Sequence, residues 1–591
     1  MRQGNRVSGT VGLLAALTQL SGIGGVSLPI PAAAQTSSDQ SVIYLNQAWS
    51  RDDREWYYNF SQGSAVLSYD IFLNLEIAGG QDLFRSDGNL ARYGLIPTTA
   101  NQYNPDALPI GISKTVIATA VKGWPVGDYV GLTCAACHEG QLDYKGKHVR
   151  IEGGISHTFD FQMLSRGLDD ALQATLTNAA KFDRFAARLK ASSADAKSNL
   201  RKLIEGEAVR VHEYATRASL SPYPWGPGRI DALTMIMNRQ MALLPDIPEN
   251  TSTPIAPTKP PFLWNAPQGL WTQWAALLQD PISRNLGETV GVFLPIDLTS
   301  KSPEAGLFKS AAAIRELHRA EQQLQRLAPP SWPEDVFGKI DREKAKQGKA
   351  LFTTLCSGCH NAWPYTWTEP NKYGKRFILV GLVPQTLVGT DRTQFDAAKP
   401  FMLTGAVANY LPGELKGKPM LPTNLFFALG QIPIRERALS QLKLTDAEQA
   451  DLHGYRELPT PLPPDHVYKA APRDGVWAAP PFLHNGSVPN LYEMLIPAAE
   501  RTKKFYIGRE FDPVKVGLDT NANAGPGAFL MDTTLLGNSN AGHSFQQGPR
   551  GNGTIGPLLT DEQRWALVEY LKSIPEEPGR VTPFGGPREK P

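Results

Sequence analysis

Cysteine is scarce in this sequence, and its scarcity excludes two classes of protein. Four cysteines occur among 591 residues, and all of them fall into two Cys-x-x-Cys pairs. Neither a disulfide framework nor a separate catalytic thiol is therefore left. The chain must be stabilised by its apolar core, and its length allows two or more domains.

The sequence also lacks a charge excess and a long apolar run. Its formal net charge is +2, and without Arg2 and Arg6 it has 57 basic and 57 acidic side chains. Because basic side chains are not in excess, we expect no nucleic-acid partner. Beyond residue 34 we expect no transmembrane segment, because no run approaches the length that spans a bilayer.

Residues 1–34 have the features of a secretory signal peptide. Arg2 and Arg6 precede an apolar run from Val11 to Leu20, and three alanines ending at Ala34 form a small-residue cleavage site. An uncleaved membrane anchor is the alternative, but the run is too short and polar residues interrupt it. We expect cleavage after Ala34 and a periplasmic or secreted protein.

The cysteines form one motif twice. These copies are Cys134-Ala135-Ala136-Cys137-His138 and Cys356-Ser357-Gly358-Cys359-His360. Cys-x-x-Cys-His is the attachment pattern of c-type haem, in which both thiols bond the porphyrin and the imidazole becomes an axial ligand of the iron. A zinc site also uses Cys-x-x-Cys pairs, but it does not explain the histidine that follows both times. We expect two covalently bound haem c groups with proximal ligands His138 and His360.

Helical periodicity around the motifs predicts a mainly α fold. Residues 344–360 read as a helix running into the second motif, and Thr560 begins a capping box for a last helix. Gly348 and Phe352 lie where cytochromes c let their last helix cross closely. We expect two cytochrome c-like haem domains with long ordered loops and little β-structure. The expected division is 1–34 signal peptide, 41–330 N-terminal haem domain with an inserted aromatic and proline-rich pocket region, and 336–585 C-terminal cytochrome c domain.

Residues 221–300 combine tryptophan with proline. Four of the twelve tryptophans lie in this stretch, among them Trp264, Trp271 and Trp274. The prolines prevent long helices, so the stretch forms either an apolar pocket wall or a second core beneath loops. Glu288 is the carboxylate here that can act as a distal acid.

Two loop histidines are candidates for a further axial ligand. His543 follows a turn that begins at Gly537, whose glycines allow backbone to lie close to a flat macrocycle. His484 lies in the tight turn Pro480-Pro481-Phe482-Leu483-His484-Asn485-Gly486-Ser487. The residues alone leave both candidates open.

Together, the two haem motifs and the stretch from Ala479 to Pro489 resemble the di-haem cytochrome c peroxidase and MauG superfamily. The chain length and the stretches 225–229, 262–288 and 537–543 resemble its extended branch, which includes bacterial rubber oxygenase and di-haem fatty-acid dioxygenases. This resemblance implies that oxygen reacts at the haem held by His138, and that His360 and His543 both ligate the other iron.

The resemblance has further implications for individual residues. Ala498 occupies the position of the methionine that ligates this haem in typical peroxidases, which weighs against an ordinary peroxidase. His484 would be a hydrogen-bond partner near the haem, and Trp264 would couple the two haems electronically.

The chemistry of the central region separates three functions. A peroxidase needs a distal acid or base, whereas oxygenation of an apolar alkene needs a dry, hydrophobic pocket. The many aromatics, including Trp271 and Trp274, favour oxygenation of a hydrophobic small molecule or polymer, such as a fatty acid or isoprenoid, by O2. The alternatives are reduction of H2O2 with Glu288 as the acid, and a non-enzymatic electron carrier. A small redox protein is the expected electron donor.

Overall fold

The computed structural model of the chain describes residues 42–462, 464–525 and 527–588. The expected signal peptide and its cleavage after Ala34 lie outside these residues. Within them, no helix is long and apolar enough to cross a membrane. From Ile43 onward the described chain forms one compact unit, in which the boundary expected near residue 330 stays a prediction.

Helices occur along the whole described chain and vary from one turn to five. They are α1 (Arg51–Asn59), α2 (Tyr69–Asn74), α3 (Asp87–Arg92), α4 (Phe161–Thr177), α5 (Ala179–Arg188), α6 (Ala194–Glu213), α7 (Ala232–Met237), α8 (Pro281–Gly291), α9 (Ile314–Leu324), α10 (Glu334–Phe337), α11 (Arg342–Leu355), α12 (Gln385–Val388), α13 (Thr393–Asp396), α14 (Thr423–Ser440), α15 (Asp446–Leu452), α16 (Leu491–Met494) and α17 (Asp561–Ser573).

Strands are short and form small sheets. They are β1 (Val42–Tyr44), β2 (Leu67–Ser68), β3 (Ile112–Ile117), β4 (Gly127–Leu132), β5 (Glu139–Tyr144), β6 (Lys147–Glu152), β7 (Gly381–Pro384), β8 (Phe401–Leu403), β9 (Met420–Pro422), β10 (Val467–Ala470), β11 (Lys504–Ile507), β12 (Phe511–Asp512), β13 (Gly517–Leu518), β14 (Phe529–Asp532), β15 (Ser544–Phe545) and β16 (Thr554–Gly556). Two sheets have three strands, in the orders β1-β6-β5 and β2-β4-β3, and the other strands pair two by two.

The prediction of a mainly α fold with two cytochrome c-like haem domains is wrong. The structure is 36% helix and 14% strand, a mixed content with several small sheets, and it does not show two haem domains. The first haem motif is the main departure, because it lies between β4 and β5 rather than among helices. Eight of the sixteen described strands have only two or three residues, fewer than the four to eight over which an alternating pattern can be recognised.

The second haem motif has the helical surroundings that the sequence predicts. Helix α11 ends at Leu355, directly before Cys356, and α17 begins with the predicted capping box at Thr560. The two helices cross so closely that a Cβ on Gly348 would lie 1.9 Å from the carbonyl oxygen of Ala566. Phe352 packs beside the crossing, with its ring centre 5.2 Å from that of Tyr570. This crossing fixes the position from which the motif starts.

Candidate haem sites

The second motif opens into a cavity, here called the C-terminal cavity. Cys356, Cys359 and His360 line it together with His484 and His543, and most of the remaining lining is apolar. It contains about 1370 Å³ of space between atoms, including space open to solvent. The two cysteines form no disulfide, which leaves both thiols for attachment.

His360 is held in the orientation that a metal ligand requires. Its Nδ1 donates to the carbonyl oxygen of Ala471 at 2.9 Å, so the opposite ring nitrogen faces away from the backbone. Arg473 donates to the same carbonyl at 2.9 Å. Burial, followed by the charge of Arg473, holds the pKa of His360 well below its ordinary value. The imidazole is therefore neutral, which is the form that binds metal.

His543 faces His360 across the C-terminal cavity. Their ring centres are 6.3 Å apart. Two imidazoles on opposite sides of one metal ion, each with a nitrogen about 2 Å from it, have ring centres about 6 Å apart. Burial, followed by the charge of Arg501, lowers the pKa of His543 to about 3, and its Nδ1 is buried without a hydrogen bond. These observations fit an iron held between His360 and His543.

The loop that carries His543 is fixed through its backbone. Arg501, which is buried, donates to the carbonyl oxygens of Asn540, Gly542 and His543 at 2.7, 2.9 and 2.8 Å. The amide of His543 donates to the carbonyl of Val388 at 2.7 Å. The planar guanidinium suits this role because its fork of N–H donors reaches several carbonyls at once. Arg501 was not recognised from the sequence because its partners lie about forty residues away.

Replacing Gly542, the residue before His543, with alanine is expected to destabilise the protein. Gly542 has φ +72°, and a Cβ there would lie 2.2 Å from the backbone carbon of Gly389. Gly374 has φ +69° with open space around it, so Gly374→Ala adds only the left-handed strain of about 1–2 kcal/mol. Gly542→Ala should lower the free energy of unfolding by about 1–3 kcal/mol more, because of the clash. Chemical denaturation of both variants measures the difference, and equal losses would contradict it.

His484 lies in the C-terminal cavity but has another partner. Its Nε2 is 3.0 Å from the hydroxyl of Tyr468, and the two rings stack with centres 4.3 Å apart. The neighbouring Asn485 donates from Nδ2 to the carbonyl oxygens of Gly537 and Ser539. The turn around His484 thus braces the loop that carries His543. A role for His484 as a hydrogen-bond partner near a haem stays a prediction.

The first motif lines a second cavity, here called the N-terminal cavity. Cys134, Cys137 and His138 lie in its wall, and it contains about 1620 Å³ of space between atoms, including space open to solvent. Cys134 begins a 3-10 turn after β4, and the amide of His138 donates to its carbonyl at 2.9 Å. Burial lowers the pKa of His138 to about 4, and the backbone of Pro261 opposes that fall. The Nδ1 atom of His138 is buried without a hydrogen bond. The thiols and the neutral imidazole fit covalent haem.

Helix α8 brings Arg284 and Glu288 to the N-terminal cavity, and helix α9 brings Glu321. Arg284 pairs with Glu321, which also accepts a hydrogen bond from Asn285 at 2.9 Å. Glu288 accepts one hydrogen bond, from the amide of Gln273 at 3.2 Å. Burial raises the pKa of Glu288, and the charge of Arg284 opposes that rise. Glu288 is thus the carboxyl of this cavity that is not committed to an ion pair.

Comparison with known proteins supports the cytochrome assignment. A family profile described as RoxA-like, cytochrome c-like, matches residues 467–506, from the start of β10 through the turn of His484. The chain is 34% identical to "Uncharacterized protein y4iJ" of Sinorhizobium fredii (strain NBRC 101917 / NGR234), over 90% of this chain and 93% of that protein. The chain belongs to the y4iJ family. It is also 28% identical to "Uncharacterized protein y4iM" of the same strain, over 55% of this chain and 67% of that protein.

The profile match indicates the cofactor and the broad class of this y4iJ-family protein. A RoxA-like cytochrome c domain implies covalently bound haem c and indicates a haem-dependent oxidoreductase. It supports the RoxA-type branch of the expected resemblance. Membership of the wider peroxidase and MauG superfamily stays a prediction, as does the count of two haems.

One wall separates the two cavities of the y4iJ-family chain. Lys259, Phe262, Trp274 and Lys469 line both of them. Trp274 donates from its indole to the carbonyl of Lys259 at 2.7 Å, and its own carbonyl accepts from the amide of Lys469 at 2.7 Å. The sequence indicated Trp274 but neither lysine, because nothing near them in the chain marks them as facing a cavity.

The structure places the other two predicted tryptophans outside both linings. Trp264 stacks on Phe262 with ring centres 4.5 Å apart, and its indole donates to the carbonyl of Asp474. Trp271 packs with Ala276 and Val467. Among the predicted tryptophans, Trp274 is therefore the one that lies between the two cavities. Trp264 lies behind Phe262 and lines neither cavity.

Proposed function

We propose that the chain is an exported c-type oxidoreductase with two covalent haems, one in each cavity. Cys134, Cys137 and His138 would hold the first haem, and Cys356, Cys359, His360 and His543 the second. Each haem, once bound, supplies an iron that gains and loses one electron. The facing pair of His360 and His543 supports electron transfer at the second site, whereas the space on the cavity side of His138 supports reaction with an oxidant at the first.

We infer that the first site reduces hydrogen peroxide, and Glu288 is the observation that carries this inference. Peroxide reduction consumes two electrons and two protons and yields two waters. The Glu288 carboxylate can accept a proton from one peroxide oxygen and deliver it to the other as the O–O bond breaks; solvent supplies the two protons consumed overall. A neutral amide, Gln273, orients the carboxylate without neutralising it. A small redox protein would supply the electrons.

The test compares how fast the purified protein oxidises an electron donor with peroxide and how fast it takes up oxygen with an unsaturated substrate. With a reduced cytochrome c or an artificial donor, we expect the donor to be oxidised only when peroxide is present, with two electrons transferred per peroxide. Oxygen uptake on unsaturated substrates without any peroxide-dependent donor oxidation would refute it.

A second candidate, oxygenation of an unsaturated hydrophobic compound by O2, is favoured by the rest of the N-terminal cavity. Helix α7 contributes Leu233, Met235 and Ile236 to the lining, and Leu277 and Phe427 add to it. Each methylene buried against such side chains contributes about 0.8 kcal/mol, so a fatty acid or polyisoprene segment needs no charged contact. Oxygen uptake with oleate or polyisoprene, followed by product analysis, tests this candidate.

Replacing Trp274 is expected to slow electron transfer between the two sites. Trp274→Phe keeps an aromatic ring but removes the indole that is bonded to Lys259. After peroxide is mixed with the reduced protein, oxidation of the second haem should be several-fold slower than in the wild type. Trp271→Phe is the matched control, because Trp271 lines neither cavity, and its rate should be unchanged. Equal slowing in both variants would contradict the assignment of the wall.

A further inference from the structure

Among the described residues, Lys469 is the cation in the wall between the cavities whose side chain has no hydrogen-bond or ion-pair partner. It is the third residue of β10, and its side chain lines both cavities. Within the described chain its Nζ takes part in no hydrogen bond and no ion pair. Burial, followed by the charges of Arg284 and Arg473, lowers the pKa of Lys469 to about 7. An ammonium in such surroundings is stabilised by an anion.

The other cations near Lys469 already have acceptors. Lys259 donates from Nζ to the carbonyl oxygens of Ala479 and Pro481 at 2.7 and 2.6 Å. Arg473 donates to the carbonyl of Ala471, and Arg284 pairs with Glu321. Lys259 therefore ties the turn before His484 to the wall, whereas Lys469 is left facing the two cavities. Glu288, the uncommitted carboxyl of the N-terminal cavity, forms no ion pair with it.

We propose that Lys469 is an electrostatic contact shared by the two haem sites, where its ammonium pairs with the carboxylate side chains of the bound haems. This inference rests on the proposed two-haem function. A haem carries two carboxylates, and a buried ion pair requires a close, well-oriented partner. Since one positive charge lies beside both sites, it favours the reduced state of each iron. Loss of the charge should therefore lower both midpoint potentials together.

Potentiometric titration of the holoprotein, followed by visible absorption, tests this contact. Lys469→Met should lower both midpoint potentials, Lys469→Arg should keep them near the wild-type values, and Lys443→Met, at an exposed position, should change neither. If Lys469→Met does not accumulate, Lys469→Gln carries the same expectation. If Lys469→Met carries both haems but shifts only one midpoint potential or neither, the shared contact is overturned and the two-haem function is not. A wild-type mass with one haem would overturn the two-haem function, and the contact with it.

Discussion

Replacing His543 with alanine should convert one low-spin haem into a high-spin haem. His543 faces His360 at a ring-centre distance of 6.3 Å, and the geometry leaves room for one iron between them. Removing one of the two strong-field imidazoles that we propose as ligands would leave that iron with a single protein ligand. Electron paramagnetic resonance and visible absorption should show the low-spin signal lost from the second haem and the first haem unchanged.

His484→Ala is the matched control for that variant. His484 lines the same cavity, but its Nε2 is engaged with the hydroxyl of Tyr468. We expect its low-spin signal to persist, with a small shift because the loop brace is weakened. Loss of the low-spin signal in His484→Ala, with an unchanged spectrum in His543→Ala, would transfer the ligand assignment to His484.

Replacing Glu288 with glutamine should lower peroxide turnover by about 10²–10⁴-fold, the usual contribution of a positioned acid or base. The change keeps the shape of the side chain and removes its ability to accept a proton. Both haem spectra should stay the same, because Glu288 contacts Gln273 rather than a proposed ligand. Because burial raises the pKa of Glu288, the acid limb of the wild-type rate profile should lie above the ordinary glutamate range. That limb should disappear in the variant.

Glu321 provides the contrast within the same cavity. Its carboxylate is committed to Arg284 and Asn285, so Glu321→Gln should reduce stability by leaving a buried guanidinium unpaired. The folded fraction of that variant should retain most of its turnover per haem. Full peroxide turnover in Glu288→Gln would remove the basis of the peroxidase assignment and leave oxygenation as the stronger candidate.

The parts that the sequence predicted well depend on local signals. The end of α11 at the second motif, the capping box of α17 and the close crossing at Gly348 follow from neighbouring residues or from one known helix contact. His543 was indicated by its glycine-rich loop, and the structure places it opposite His360.

The parts that were missed depend on contacts between distant residues. The first motif lies between the strands β4 and β5, in which four consecutive residues are buried, so that neither shows the alternation that marks a strand in a sequence. Trp264 and Trp274 are equivalent in sequence terms, and only the folded chain shows which of them lies in the wall. Lys469 and Arg501 act on groups brought together by the fold, so their surroundings in the chain carry no signal.

The most direct test of the two proposed haem sites is the intact mass of the purified wild-type protein beside a Cys134→Ala/Cys137→Ala variant. We expect the wild-type chain to carry the mass of two covalently attached haems. The variant should carry one haem and keep the low-spin signal assigned to His360 and His543. A wild-type mass with one haem or none, or a zinc content that accounts for the cysteines instead, would contradict it.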